Sequence, residues 1–380
     1  MKVTIAIDSF KGSLSTTEAA LAIANGIKRV FPDAETNICP LADGGEGTVE
    51  ALISSLGGNL HEVEVTGPLG KSVKAAYGII PDRRLAVIEM SSAAGITLIK
   101  SDERDPLKTT TYGVGEMIAD AIAQGCRKFI IGIGGSATND GGTGMLSALG
   151  FDFLDADGKV IDCSGGGLEK LCEIKSENAL PTLRECEFLI ACDVKNPLCG
   201  SNGCSAIYGP QKGATPDTIK KMDAWLERYA ELTKAVNPDA DKDFAGAGAA
   251  GGLGFAFLSY LGGRLESGIE LVIRETCIEE KVKAADIVVT GEGRLDGQSC
   301  MGKAPVGIAQ VAKKHGKPVI AFSGIVSDDA VECNKHGIDA FFPILRSVCT
   351  LNEAMDKKNA SKNLADTAEQ AFRLIKTFYK

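Results

Sequence analysis

Short apolar runs at residues 3–7, 63–65, 86–90, 129–133, 188–192, 287–290 and 319–322 alternate with longer stretches of helical periodicity. Strand-length runs separated by helix-length segments predict an α/β protein whose strands are mostly parallel, because each crossover helix returns the chain to the same end of the sheet. The last four runs lead directly into loops rich in glycine or acidic residues. In open α/β sheets ligands gather beyond the carboxyl ends of the strands, so these loops mark the expected active face.

The helical stretches carry their own punctuation. Ser15, with Glu18 three residues on, forms a capping box; Ala19, Ile23, Ile27 and Val30 then recur at helical spacing until Pro32 closes the element. Further helices are predicted at 110–124, stopped by Gly125, and at 216–234. Another is predicted at 305–315, with Pro305 in its first turn and Gly316 just past its end, and a last one at 359–378. No internal repeat or low-complexity linker interrupts them. The turn at 66–70 and the segment before Asp286 are the candidate hinges.

Size and charge remove several classes of function. At 380 residues the chain is about two to three times an ordinary domain, so two domains are expected. Its net charge is −9, with no basic run longer than two residues, which excludes the cationic footprint of a nucleic-acid-binding protein. Twelve cysteines include no C-x-x-C pair, and His61, His315 and His336 lie far apart, so no zinc spacing is present. Residues 244–263 are uncharged, but seven glycines and five alanines leave too few large apolar groups for a membrane span. The amino terminus reads as a first strand and not as a signal peptide, which points to the cytoplasm and to reduced thiols.

Glycine is in excess, 45 of 380 residues, and it concentrates in loops where backbone must approach something closely. The densest stretch, Ile-Gly-Ile-Gly-Gly-Ser-Ala-Thr-Asn-Asp-Gly-Gly-Thr-Gly at 131–144, follows a strand. It reads either as a cradle for a phosphate or nucleotide or as a tight structural turn. Gly132, Gly134 and Ala137 satisfy G-x-G-x-x-A, with Asp152 twenty residues beyond Gly132, which is the dinucleotide fingerprint. The loop nonetheless continues where the helix of that fold should begin. Residues 297–304 fit G-x-x-x-x-G-K but place Ala304 where a P-loop needs a hydroxyl, and the preceding strand is expected to end near Thr290. Lys303 still stands at the start of a helix, where it can meet a phosphate or simply be solvated. Carboxylates, in three of the loops beside a lysine or arginine, mark four further loops, around Asp8 and Lys11, Asp43 and Glu46, Asp193 and Lys195, and Glu292, Arg294 and Asp296. Each aspartate alone suits a turn or a cap. Together they offer what phosphoryl transfer needs, namely oxygen ligands for a divalent cation, a base, and cations for developing charge.

Several of these strings closely resemble the type 1 glycerate kinases: Ile-Asp-Ser-Phe-Lys-Gly-Ser-Leu-Ser (7–15), Leu-Ala-Asp-Gly-Gly-Glu-Gly-Thr (41–48), Arg-Asp-Pro-Leu-Lys-Thr-Thr-Thr-Tyr-Gly (104–113), Gly-Ile-Gly-Gly-Ser-Ala-Thr-Asn-Asp-Gly-Gly (132–142) and Ala-Cys-Asp-Val-Lys-Asn-Pro-Leu (191–198). Tyr-Gly-Pro-Gln-Lys-Gly-Ala (208–214), Gly-Ala-Gly-Ala-Ala-Gly-Gly-Leu-Gly (246–254) and Thr-Gly-Glu-Gly-Arg-Leu-Asp (290–296) continue the series over nearly the whole chain. Isoleucine at position 7, where many members have proline, and the cysteines at 199 and 204 are small departures. The resemblance implies ATP- and Mg²⁺-dependent phosphorylation of D-glycerate, with 2-phosphoglycerate as the product. It also implies two α/β domains with the site in their cleft. One is Rossmann-like and built from both chain ends (1–70 and 285–380); the other is inserted (71–284).

Within the matching motifs, chemistry suggests the roles. Glycerate's carboxylate needs cations or N–H groups, for which Lys11, Arg294, Gly134 and Gly135 are candidates, with Asp8 beside the substrate. The attacking hydroxyl needs a carboxylate base; Asp193 is preferred and Asp43 is second. Asp43 and Asp296, or Asp8, would supply oxygens to Mg²⁺. Lys195, Lys212 and Lys303, with Ser136, Asn139 and Asp140, are candidates for the ATP phosphates and the transition-state charge. The competing readings are an NAD-dependent hydroxy-acid dehydrogenase, from the dinucleotide fingerprint, and a non-catalytic glycerate-binding protein. No membrane partner is expected, and monomer and homodimer both remain open.

Overall fold

A computed structural model describes residues 1–378; residues 379 and 380, the last two of the expected 285–380 segment, lie outside the described residues. The chain forms two compact units: Met1–Asp43, Glu50–Leu56 and residues 269 onward make the first, and Gly44–Val49 with Gly57–Gly268 the second. The α/β class with mostly parallel strands, expected from the alternation of runs, is what the structure shows.

The first unit is built on five parallel strands in the order Ala340–Pro343, Val319–Val326, Ile287–Leu295, Lys2–Ile5, Glu35–Ile38. Val3, Ile5, Ile7, Val289 and Phe322 expose no surface and form a core with residues from the helices Thr16–Lys28 and Lys357–Phe378. The capping box that starts the first helix closes both ways: Glu18 N–H donates to Ser15 Oγ (3.3 Å) and Ser15 N–H to Glu18 Oε2 (2.8 Å). Gly26 lies where these two helices meet, and a Cβ there would stand 2.2 Å from the Ala365 carbonyl oxygen. Gly26→Val should therefore force the helices apart and cost about 3 kcal/mol, read as a drop in the urea midpoint. An unchanged midpoint would mean that the crossing is loose.

Two strands run on past their expected ends. Residues 291–295 pair with 322–326, Glu292 opposite Ser323 and Arg294 opposite Ile325, so the segment expected to be a loop after Thr290 is strand. Glycines at 291 and 293 broke the apolar pattern without breaking the hydrogen-bond ladder.

The second unit holds six strands in the order Arg264–Glu266, Glu187–Ala191, Lys128–Gly132, Leu85–Glu89, Ser72–Ile80, Asn59–Thr66. The first four are parallel and the last two antiparallel to their neighbours. Residues 66–70, one of the candidate hinges, form the turn of the antiparallel hairpin, with Thr66 paired to Ser72 and Gly67 N–H bonded to the Lys71 carbonyl (2.7 Å). The core centres on Phe129 stacked on Phe188 (centroids 4.8 Å apart), with Ile131, Ile190, Phe153 and Phe257. The uncharged stretch contributes the helix Ala249–Tyr260, whose Leu253, Phe255 and Phe257 are fully buried. No described helix is long and apolar enough to cross a membrane.

Candidate active site

In the first unit, three segments bring their acids to the same level at the carboxyl end of the sheet. Beyond Ile5 the chain keeps its pairing: Ala6 N–H donates to the Val289 carbonyl (2.7 Å) and Asp8 N–H to that of Gly291 (3.0 Å). On its other side, Leu41 N–H donates to the Ile7 carbonyl (3.0 Å), which carries the chain on towards Asp43. Asp8 thus ends up between Asp43 and Glu292. Its side chain is buried, 4% exposed. Burial, and then the charge of Asp43, raise its pKa to about 7, Glu292 adding a smaller push, while the Ser9 amide (2.6 Å from Oδ1) and Lys11 pull it down. Such a carboxyl group changes protonation near neutral pH.

Glu292 is held by Ser299, whose hydroxyl donates to its carboxylate at 2.5 Å. Burial raises its pKa against the pull of Ser299 and Lys303. Gly291, at φ 154°, allows this arrangement, since a Cβ there would lie 1.9 Å from the Phe322 carbonyl oxygen on the next strand.

Asp296, an expected Mg²⁺ ligand, is already engaged. Its carboxylate accepts the amides of Gln298 (3.0 Å) and Ser299 (3.2 Å), capping the 3₁₀ turn Gly297–Met301. Arg294 lies 3.3 Å and Lys303 4.0 Å from it. Lys303 occupies the position just before the helix Ala304–Lys314, without a side-chain capping bond, and Pro305 lies in the first turn. The strand-turn-helix order of a phosphate-binding loop is therefore present, because the strand reaches Leu295 and does not end near Thr290, but Ala304 is buried and brings no hydroxyl.

In the second unit, the loop after Lys128–Gly132 runs from residue 133 to 142 before the helix Thr143–Ala148 begins. That interval overturns the dinucleotide reading, in which Ala137 would already lie inside a helix. The loop is held from within. Asp140 is fully buried and accepts Thr111 N–H and Oγ1 (both 2.7 Å), Gly142 N–H (3.2 Å) and Gly144 N–H (3.3 Å). Lys212, 2% exposed, donates to the Thr138 carbonyl at 2.6 Å, and burial lowers its pKa to about 8. Asn139 Nδ2 donates to Ser205 Oγ (2.9 Å). Asp140, Asn139 and Lys212, expected at the phosphates of a nucleotide, are thus buried braces of the loop. Ser136 is also buried, in a bridge to Gly95. Gly134 and Gly135 alone among the expected residues of this loop are exposed.

A second glycine loop covers the ends of these strands. A Cβ on Gly132 would stand 2.2 Å from the Gly44 carbonyl oxygen, and one on Gly44 2.5 Å from Ala191 Cβ. Glu89 pins it by accepting the amides of Gly47 (3.1 Å) and Val49 (2.9 Å). Asp193 and Lys195 follow the strand Glu187–Ala191 and are exposed; Asp193 Oδ1 accepts Gly268 N–H (3.1 Å), at the start of the helix Gly268–Thr276.

The structure therefore gathers Asp8, Lys11, Asp43, Arg294, Asp296 and Lys303 in the first unit and places the other expected residues in the second. Glu292 was named from the sequence among the loop acids but given no role, and Ser299 was not singled out. The available signal was Gly291 and Gly293 flanking an acid, since glycines inside a strand mark close backbone approach. Among the described residues, no three His, Cys, Asp or Glu side chains form a closed metal cage.

Comparison with known proteins matches residues 3–376 to the glycerate kinase family. The glycerate 2-kinase of Escherichia coli K12 is 49% identical over 97% of this chain and 98% of its own, and a Haemophilus influenzae glycerate kinase is 47% identical over 99% of both. The crystal structure of a candidate glycerate kinase 2 from Salmonella typhimurium LT2 superposes with a TM-score of 0.90 at 47% identity, covering 99% of this chain and 98% of that one. Long motifs, full-length identity and a shared fold agree: the chain belongs to the glycerate kinase family.

Proposed function

We propose that this enzyme transfers the γ-phosphoryl group of ATP to the 2-hydroxyl of D-glycerate, with Mg²⁺ as the required cation, in the cytoplasm. The observation that carries the reading is the meeting of three acids from separate stretches, the buried Asp8 with Asp43 and Glu292 beside it, in a chain of the glycerate kinase family. A general base works best with a pKa near the working pH, so Asp8 is the residue proposed to take the proton of the attacking hydroxyl. It replaces Asp193 in that role, because Asp193 is exposed and already bonded to the start of a helix.

The acids of the first unit suit Mg²⁺. The ion usually meets only one or two carboxylates and completes its shell with water and substrate phosphates, so two neighbouring acids suffice. Asp43 and Glu292, the acids on either side of Asp8, would hold it. When bound, the cation offsets phosphate charge. Lys303 at a helix amino terminus and Lys11 beside Asp8 supply cations for the phosphates and the glycerate carboxylate. In the second unit, the exposed Gly134 and Gly135 remain candidates for an anion.

Turnover of MgATP with D-glycerate, followed by ADP release and ³¹P NMR of the product, tests the reading. The expected product is 2-phosphoglycerate. A 3-phosphoglycerate signal would correct the position of attack, and no ADP release with either enantiomer would overturn the substrate.

A further inference from the structure

Behind the turn that carries Ser299, two thiols meet. Cys300 belongs to the 3₁₀ turn Gly297–Met301 and Cys333 to the short helix Glu332–Lys335, and their sulfurs lie 3.3 Å apart. All twelve cysteines are free. Cys333 exposes no surface, whereas Cys300 is half-buried. The Cys333 sulfur also touches the Asp296 carbonyl (3.8 Å), the cap residue of the same turn.

We propose that Cys300 and Cys333 form a dithiol modification site, closed to a disulfide by a small-molecule disulfide oxidant, and that closure lowers enzyme activity. The second clause rests on the role given above to Glu292 and Lys303. The chemistry balances with glutathione disulfide as the oxidant. Cys300 thiolate attacks one of its sulfurs, forming a mixed disulfide and expelling one glutathione thiolate with the bonding pair. The Cys333 sulfur then attacks the Cys300 sulfur, its proton passing to solvent, and the second glutathione thiolate leaves. Two electrons and two protons end on two molecules of glutathione. Cys300, the more exposed of the two, makes the first attack, and Cys333, which exposes no surface, resolves it.

Closure must move the turn. A disulfide bond is about 2 Å long, so the sulfurs have to approach by more than 1 Å. The turn they pull on carries the Ser299 hydroxyl bonded to Glu292 (2.5 Å) and leads directly into Lys303. A displacement of that size at a supporting residue can cost roughly 10- to 100-fold in rate.

The test uses the full chain treated with glutathione disulfide, alkylated, digested and mapped by mass spectrometry, with phosphorylation of D-glycerate assayed before and after dithiothreitol. The expected result is a Cys300–Cys333 cross-linked peptide and a roughly tenfold or greater loss of rate that dithiothreitol restores. Cys300→Ser and, separately, Cys333→Ala should keep basal activity and resist the oxidant. Two variants guard against one of them failing to fold. Glutathione on exposed Cys172, Cys277 and Cys349 without the Cys300–Cys333 peptide would overturn the site. The cross-link with unchanged rate would overturn its coupling to activity. Because the cross-link is read by mass, a reduced protein inactive on D-glycerate sinks the proposed function separately and leaves the site to stand or fall on the peptide.

Discussion

Asp8→Asn should lower kcat by about two to four orders of magnitude, the usual cost of a lost acid–base group, while making the metal-free protein more stable at pH 8. The two effects have one cause. Burial and the neighbouring Asp43 carboxylate raise the folded-state pKa of Asp8 from 3.8 to about 7. Below pH 4 the group is protonated in both native and unfolded chains and costs nothing. Between pH 4 and 7 the unfolded chain ionises while the native one resists, so this residue's contribution to stability is lost as pH rises, by at most about 4 kcal/mol. An asparagine never ionises, so the variant and the parent should unfold alike at pH 4 and diverge by pH 8, the variant being the more stable. Urea titrations at the two pH values, alongside steady-state kinetics, check this. A kcat within about tenfold of the parent would remove Asp8 from the base role. Equal stability at pH 8 would mean that Asp8 ionises there as freely as in the unfolded chain.

Gly291→Ala should be the most damaging single-methyl change in the first unit. The added Cβ would stand 1.9 Å from the Phe322 carbonyl oxygen and 3.2 Å from Ile7 Cδ1, and the backbone at φ 154° is one that an L side chain rarely adopts. The obstacle is a strand backbone, which cannot rotate away like a flexible side chain. Overpacking and backbone strain together should exceed about 3 kcal/mol, seen as a lower urea midpoint. Since Glu292 and the backbone partner of Asp8 are carried by the same strand, the variant should also lose activity at temperatures where it remains folded. A Gly291→Ala protein with parental stability would show that the strands at 291 and 322 separate easily.

Glu292 and Lys212 show where a sequence stops being informative. Glu292 was named among the loop acids but given no role, because a strand interrupted by two glycines reads as a loop. Lys212 and Asp140 carry the charges that phosphate chemistry uses, and residue type cannot distinguish a lysine facing a ligand from one buried against the Thr138 carbonyl. Asp193 was preferred as the base from the chemistry of its motif; its exposure and its bond to Gly268 are matters of packing.

The properties legible in the sequence are those encoded by neighbours along the chain. The Ser15–Glu18 cap, the helix opened by Lys303 and Pro305, the parallel α/β class and the family motifs all depend on residues a few positions apart, and all appear in the structure or the relatives. Tertiary structure decided which acids lie together. Asp8, Asp43 and Glu292 come from three separate stretches of chain, and only the parallel pairing of residues 6–8 with 289–291, and of Leu41 with Ile7, brings them to one place. Desolvation and charge repulsion act through space. A carboxyl group's pKa is therefore set by the fold around it and not by the residues beside it in the chain.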